Sequence, residues 1–180
     1  MSPERKDLEA LELALRTEEE GYALYKRAAK LKLNDLTAAL FAQLAKDELM
    51  HKDLIRRFYA KLKKSDSWTE LSEEDKNYQG GSKQKYKTIF SDALAETKKV
   101  APVFTSTDKE AYQKALEFEK KGMELYDRLY NETTDPVAKK FYLFLREMER
   151  EHMELLDNAI RYVESPDNYY ILEEGWTMED

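Results

Sequence analysis

Residues 149–155 read EREHMEL, and residues 48–54 read ELMHKDL. Each stretch holds a glutamate followed three residues later by a histidine, and these are the only two histidines in the 180-residue chain. Residues three apart share one face of an α-helix, so each stretch offers a carboxylate and an imidazole side by side. The two stretches are 101 positions apart, and the same shift relates their surroundings. It superposes Glu18 on Glu119, Gly21 on Gly122, Tyr25 on Tyr126, Leu44 on Leu145, Glu48 on Glu149, His51 on His152 and Leu54 on Leu155. EEEGYALY (18–25) and EKKGMELY (119–126) are one short pattern written twice. The chain is therefore a duplicated unit with two-fold pseudosymmetry.

Each unit reads as a helical hairpin. Apolar residues recur at a 3.6-residue period over 3–31, with a seam of Leu8, Leu11, Leu15, Tyr22, Tyr25 and Ala29, and Ser2-Pro3 as N-cap and first helical residue. A second helix is predicted over 35–64, capped by Asn34, with Phe41, Leu44, Ile55 and Phe58 on one face. A third begins at the predicted capping box Thr107-Asp108-Lys109-Glu110 and ends near Asn131. The fourth starts at Asp135-Pro136, runs to about Glu164, and presents Phe141, Leu145, Leu156 and Ile160. Links of a few residues within each pair make antiparallel hairpins. The expected organisation is one domain over 1–180: hairpin 3–64, crossover 65–106, hairpin 107–164 and tail 165–180. The crossover holds a Gly80-Gly81 break and an amphipathic run of Tyr86, Ile89, Phe90, Ala93 and Leu94. It is long enough to climb helices of roughly 40 Å. The tail, with Tyr169, Tyr170 and Trp176, is expected to fold back over apolar surface. The fold class is all-α, a four-helix bundle of two repeated hairpins.

Composition narrows the function. A net charge of -7 disfavours nucleic acid and anionic membrane as partners. No cysteine is present, which removes disulfides, thiolate metal sites and cysteine nucleophiles. No apolar stretch is long enough to span a bilayer, so a cytoplasmic location is expected.

The four repeated glutamates lie on apolar seams rather than polar faces. Glu18 sits between Leu15 and Tyr22, and Glu119 lies seven residues from both Tyr112 and Tyr126. Glu48 and Glu149 are each four residues after a leucine, Leu44 and Leu145. All four are near the midpoints of their helices, and in an antiparallel bundle midpoints share one level. An ionised carboxylate in an apolar interior costs on the order of tens of kcal/mol by idealised estimates. Two divalent cations would balance four carboxylates, and neutral imidazoles add ligands without charge. Glu18, Glu48, His51, Glu119, Glu149 and His152 are thus the candidate metal ligands, with Glu18 and Glu119 bridging or flanking the pair. Ligand type alone does not separate iron from manganese, and zinc held for stability is a further option. Tyr25 and Tyr126 face the same layer, either as core packing or as phenols hydrogen-bonded to ligand carboxylates. Tyr22 is a further candidate for such a bond. Gly21 and Gly122 read as close helix contacts beside the site. Glu19, Glu20, Glu147 and Glu151 read as surface charge.

This set, on Glu18, Glu48, His51, Glu119, Glu149 and His152, resembles the rubrerythrin branch of the ferritin-like superfamily over nearly the whole chain outside crossover and tail. The resemblance implies a dinuclear non-haem iron centre that reduces hydrogen peroxide or dioxygen, an oxidoreductase of the peroxidase type acting in oxidative stress. Two departures stand out. The rubredoxin domain that commonly delivers electrons in these proteins needs four cysteines, so an external electron-donor protein is implied here. A further glutamate commonly found three residues before the third-helix ligand is replaced by Leu116, whose repeat mate is Leu15. Iron oxidation or metal handling of the ferritin type, and a non-enzymatic bundle stabilised by metal, are the competing functions. No surface marks a storage cage, and a homodimer remains open.

Overall fold

The computed structural model describes residues 3–31, 33–76, 85–89, 91–92 and 104–164. The expectations on Ser2, on the Gly80-Gly81 break, on Phe90, Ala93 and Leu94, and on Tyr169, Tyr170 and Trp176 in the tail lie outside the described residues. Four long helices form the bundle: α1 (Pro3–Ala28), α2 (Asp35–Ser65), α3 (Ser106–Glu132) and α4 (Pro136–Glu164). No strand occurs among the described residues, and no described helix is long and apolar enough to cross a membrane.

The ends of the helices follow from local chemistry. The Asn34 side chain accepts a hydrogen bond from the Leu36 N–H and starts α2. The Asp135 carboxylate accepts from the Val137 and Ala138 N–H groups, and Pro136 takes the first helical position, where no donor is needed. Helix α1 stops at Ala28 rather than running to residue 31. The Lys30 and Leu31 N–H groups reach back only three residues, to Arg27 and Ala28, and this tighter turn closes the helix. The capping box of α3 lies two residues earlier than the sequence suggested. Thr105, not Thr107, is the cap, and Asp108 takes the part expected of Glu110. Thr105 Oγ1 accepts from the Asp108 N–H, while Asp108 accepts from the Thr105 N–H. A shorter acid three residues after the cap completes the reciprocal pair just as well, and Thr105 has the extended backbone a cap requires.

Asp108 also joins the hairpins. Its other oxygen accepts from the Asn34 N–H at 2.9 Å, and Tyr112 Oη donates to Thr37 Oγ1 at 3.2 Å. The start of α3 therefore lies beside the start of α2. At the opposite end, Lys6 near the start of α1 pairs with Glu132 at the end of α3, and Trp68 donates to Asp7 while packing on Phe141 and Tyr142. Chain position 66 thus lies at one end of the bundle and 104 at the other, so the long connection spans its length, as its size requires. Within the bundle α1 packs on α2 and α3, and α4 packs on α3 and α2. Short helical stretches over 73–76 and 85–89 belong to the connection.

The apolar core is split into two clusters. One gathers Tyr25, Leu40, Phe41, Leu44, Tyr112, Leu156 and their neighbours near the α2–α3 start. The other gathers Leu11, Leu54, Phe58, Tyr126, Phe141 and Leu145 toward the opposite end. Between them lies a layer of buried charge.

Candidate metal centre

All six sequence-predicted ligands meet in that layer. Glu18, Glu48, Glu119 and Glu149 are each at most 2% exposed, and His51 and His152 are 4% and 3% exposed. The two imidazoles stack with centroids 5.0 Å apart and planes 14° from parallel, which fixes them at one height. Their equal height follows from the repeat: each is the fourth residue of a Glu-x-x-His on a long helix of the same register.

Both histidines turn Nδ1 toward the carboxylates. His51 Nδ1 lies 3.2 Å from Glu18 Oε2, 3.8 Å from Glu48 Oε2 and 3.9 Å from Glu149 Oε1. His152 Nδ1 lies 3.3 Å from Glu119 Oε1, 3.5 Å from Glu48 Oε1 and 4.0 Å from Glu149 Oε2. The ligand atoms fall into two overlapping groups within 4.8 Å: Glu18, Glu48, His51 and Glu149, and Glu48, Glu119, Glu149 and His152. Glu48 and Glu149 belong to both. Glu18 and Glu119 belong to one four-residue group each.

The tyrosines cross between the halves. Tyr25 donates its phenol proton to Glu119, and Tyr126 donates to Glu18. Each hairpin's tyrosine therefore holds the other hairpin's flanking carboxylate. Both rings are also fully buried, so packing and hydrogen bonding coincide. Burial, together with the neighbouring carboxylate charges, raises both phenols well above their usual range and keeps them donors. Tyr22 does not join them. It is half-buried, and its hydroxyl accepts from Lys26 Nζ at 2.9 Å. Glu19 and Glu20 are exposed, Glu147 pairs with Arg146 and Arg150, and Glu151 is half-buried. None of them joins the two ligand groups. Leu116 and Leu15 pack against the apolar clusters, so those positions add no carboxylate.

One part of the surroundings escaped the sequence reading. Asp47, next to Glu48, is fully buried, accepts from Gln43 Nε2 at 2.8 Å, and accepts from the phenol of Tyr86 in the connection. The i, i+4 spacing of Gln43 and Asp47 was the available signal. Nothing local announces that Tyr86, 39 residues on, closes the other side.

Protein groups alone leave this layer unsatisfied. Burial raises Glu48 and Glu149 well above the usual carboxylate range, and the charges of Glu18 and Glu119 push the same way. Burial also acts to raise Glu18 and Glu119, but the hydrogen bond and charge of His51 outweigh it at Glu18, and the charge of His152 with the Tyr25 hydrogen bond outweighs it at Glu119. Glu18 is lowered, and Glu119 falls to about 2. Burial opposes the charge on His152, yet Glu119 and Glu149 lift it to about 10. Among the described residues no donor hydrogen-bonds either oxygen of Glu48 or Oε2 of Glu119, and His152 Nδ1 makes no well-formed hydrogen bond despite its near carboxylates. Buried polar atoms are nearly always partnered, and here the orphans point at a common space. Oxygen and imidazole donors in two four-residue sets suit divalent first-row cations. The residues present therefore fit a pair of such ions.

Comparison with known proteins agrees with the donor chemistry. No curated protein and no solved structure matches the chain significantly. The family model described as Rubrerythrin matches residues 9–160, a span that runs from α1 to α4 and includes both Glu-x-x-His motifs. Since that match takes in most of the chain, the protein belongs to the rubrerythrin family of ferritin-like di-iron domains.

Proposed function

We propose that the chain is a dinuclear non-haem iron oxidoreductase that reduces hydrogen peroxide or dioxygen. Glu18, Glu48 and His51 with Glu149 would hold one ion, and Glu119, Glu149 and His152 with Glu48 the other. The observation that carries the reading is the doubled set of buried donors, with Glu48 and Glu149 common to both groups and unpartnered oxygens on Glu48. The whole chain is read as one ferritin-like domain.

A bound pair of ferrous ions would supply the two electrons that, with two protons, convert peroxide to two waters. The protein's part is electrostatic and positional. Four carboxylates set a charge that two divalent cations balance, and Tyr25 and Tyr126 each hold one oxygen, of Glu119 and Glu18 respectively, so that these side chains keep one orientation. Buried Asp47 adds negative charge beside Glu48 and His152, favouring cations in the layer. The apolar clusters on both sides exclude bulk water. The 180 residues contain no cysteine, so electrons for re-reduction come from outside them, and an external donor protein is the source we propose.

The test is to load the protein anaerobically with ferrous iron, add hydrogen peroxide, and follow the absorbance of the oxidised centre by stopped flow. Oxidation much faster than that of free ferrous iron, with two ions per chain, is expected. Oxidation no faster than in buffer would reject the reading.

A further inference from the structure

Gly21 and Gly122 follow Glu18 and Glu119 by three residues, well inside α1 and α3. Neither has positive φ, so the backbone does not ask for glycine. A glycine within a helix costs about 1 kcal/mol relative to alanine, yet it stands at the same register in both halves. The reason lies in what a side chain would meet. A Cβ on Gly122 would fall 3.2 Å from both Cδ and Oε2 of Glu149 and 3.3 Å from its Cγ. A Cβ on Gly21 would fall 3.0 Å from Cδ and 3.1 Å from Oε2 of Glu48, and 2.7 Å from Cε1 of Phe118. The space that two methyl groups would take is the space the two shared carboxylates occupy.

We propose that Gly21 and Gly122 are positioning residues of the centre: their missing side chains leave the clearance in which Glu48 and Glu149 lie across the middle of the layer. The proposal rests on the metal-centre reading and adds to it that helices α1 and α3 shape the centre by absence as well as by ligands. The two clearances are unequal. Phe118, packed edge-on to Tyr25 with centroids 6.3 Å apart, also rests on Gly21. The repeat mate of Phe118 is Thr17, and the three atoms nearest a Cβ on Gly122 all belong to Glu149. Gly122 is therefore the clean probe of a shared carboxylate.

The experiment compares full-length wild type with Gly122→Ala in two measurements. The first is thermal unfolding in chelator, where Glu149 is free to yield by a few tenths of an ångström. The second is titration with cobalt(II), followed by calorimetry and visible absorption. Gly122→Ala should unfold at the same or a higher temperature in chelator, because alanine favours the helix. Its affinity for the cobalt pair should fall about tenfold or more, the scale seen when groups that orient a ligand are disturbed. Measured against Phe118→Ala alone, which removes the ring from the clash, Gly21→Ala in that background should show the same split at Glu48. Wild-type cobalt affinity in Gly122→Ala would overturn the proposal. So would a loss of affinity matched by a lower unfolding temperature in chelator, since that marks a plain packing role. If wild type itself takes up no pair of cobalt ions, the metal-centre reading fails at that step and this proposal falls with it.

Discussion

Replacing Glu48 with methionine should make the protein more stable in chelator and less stable in the presence of metal. Glu48 is 1% exposed, and neither carboxylate oxygen meets a donor among the described residues. Leaving a buried polar group unpartnered costs about 1–3 kcal/mol. Methionine keeps the length and much of the volume of the side chain while removing the carboxylate, and its thioether adapts to irregular space. The variant should therefore gain about 1–3 kcal/mol in chelator, in line with the outcome of replacing buried charges by apolar groups of similar volume. For a chain of this size that gain raises the melting temperature by roughly 2–12 °C, at about 2–4 °C per kcal/mol. Metal reverses the order. A ligand at a thousand times its dissociation constant stabilises the folded state by about 4.1 kcal/mol, more than the variant's gain, and the variant forfeits most of this because Glu48 belongs to both four-residue ligand groups. The assay is thermal unfolding by circular dichroism for both proteins, with chelator and then with saturating cobalt(II). A Glu48→Met variant destabilised in chelator by the roughly 2–5 kcal/mol of a core deletion would refute the reasoning, because Glu48 would then be a structural residue that needs no cation.

Tyr25→Phe and Tyr126→Phe should each leave the fold intact and weaken cobalt binding about 10- to 100-fold, measured by calorimetric titration, because each removes the donor that orients a flanking carboxylate. His51→Ala should reduce the metal content measured by elemental analysis while the far-ultraviolet spectrum stays helical. Asp108→Ala should lower stability by about 1–3 kcal/mol in denaturant titration, since it removes the reciprocal half of the α3 capping box and the tie to Asn34. The same residue gives a pH dependence. Burial acts to raise Asp108, but hydrogen bonds from Thr105 and Asn34 outweigh it and hold the carboxyl below its ordinary value of 3.8. A depressed folded value means stability that is present above 3.8 and lost as pH falls below it. Wild type should lose stability on acidification through that range more steeply than Asp108→Ala, as followed by melting temperature against pH.

The donor set was legible in the sequence because helical periodicity assigns each residue a face. Glu18, Glu48, Glu119 and Glu149 interrupt apolar seams, and a polar residue on such a seam has to be buried once the seam packs. The 101-residue shift then made the centre two-fold before any coordinates, since repeated spacing on repeated helices puts equivalent side chains at equivalent heights. The capping box of α3 was misplaced by two residues because Thr105 and Thr107 are both competent caps, and neither reveals which backbone is extended until Asp108 has found Asn34.

The sequence by itself determined the two hairpins, the six donors and their single layer, since these depend only on distances along one helix. The tertiary structure alone decided that Glu48 and Glu149 fall in both four-residue groups, that each tyrosine bonds a carboxylate of the opposite hairpin, that Tyr86 folds onto Asp47, and that Gly21 and Gly122 lie against Glu48 and Glu149. Those outcomes turn on how four helices rotate and slide against one another by an ångström or two, and that relation is set by packing between helices, not by the periodicity within any one of them.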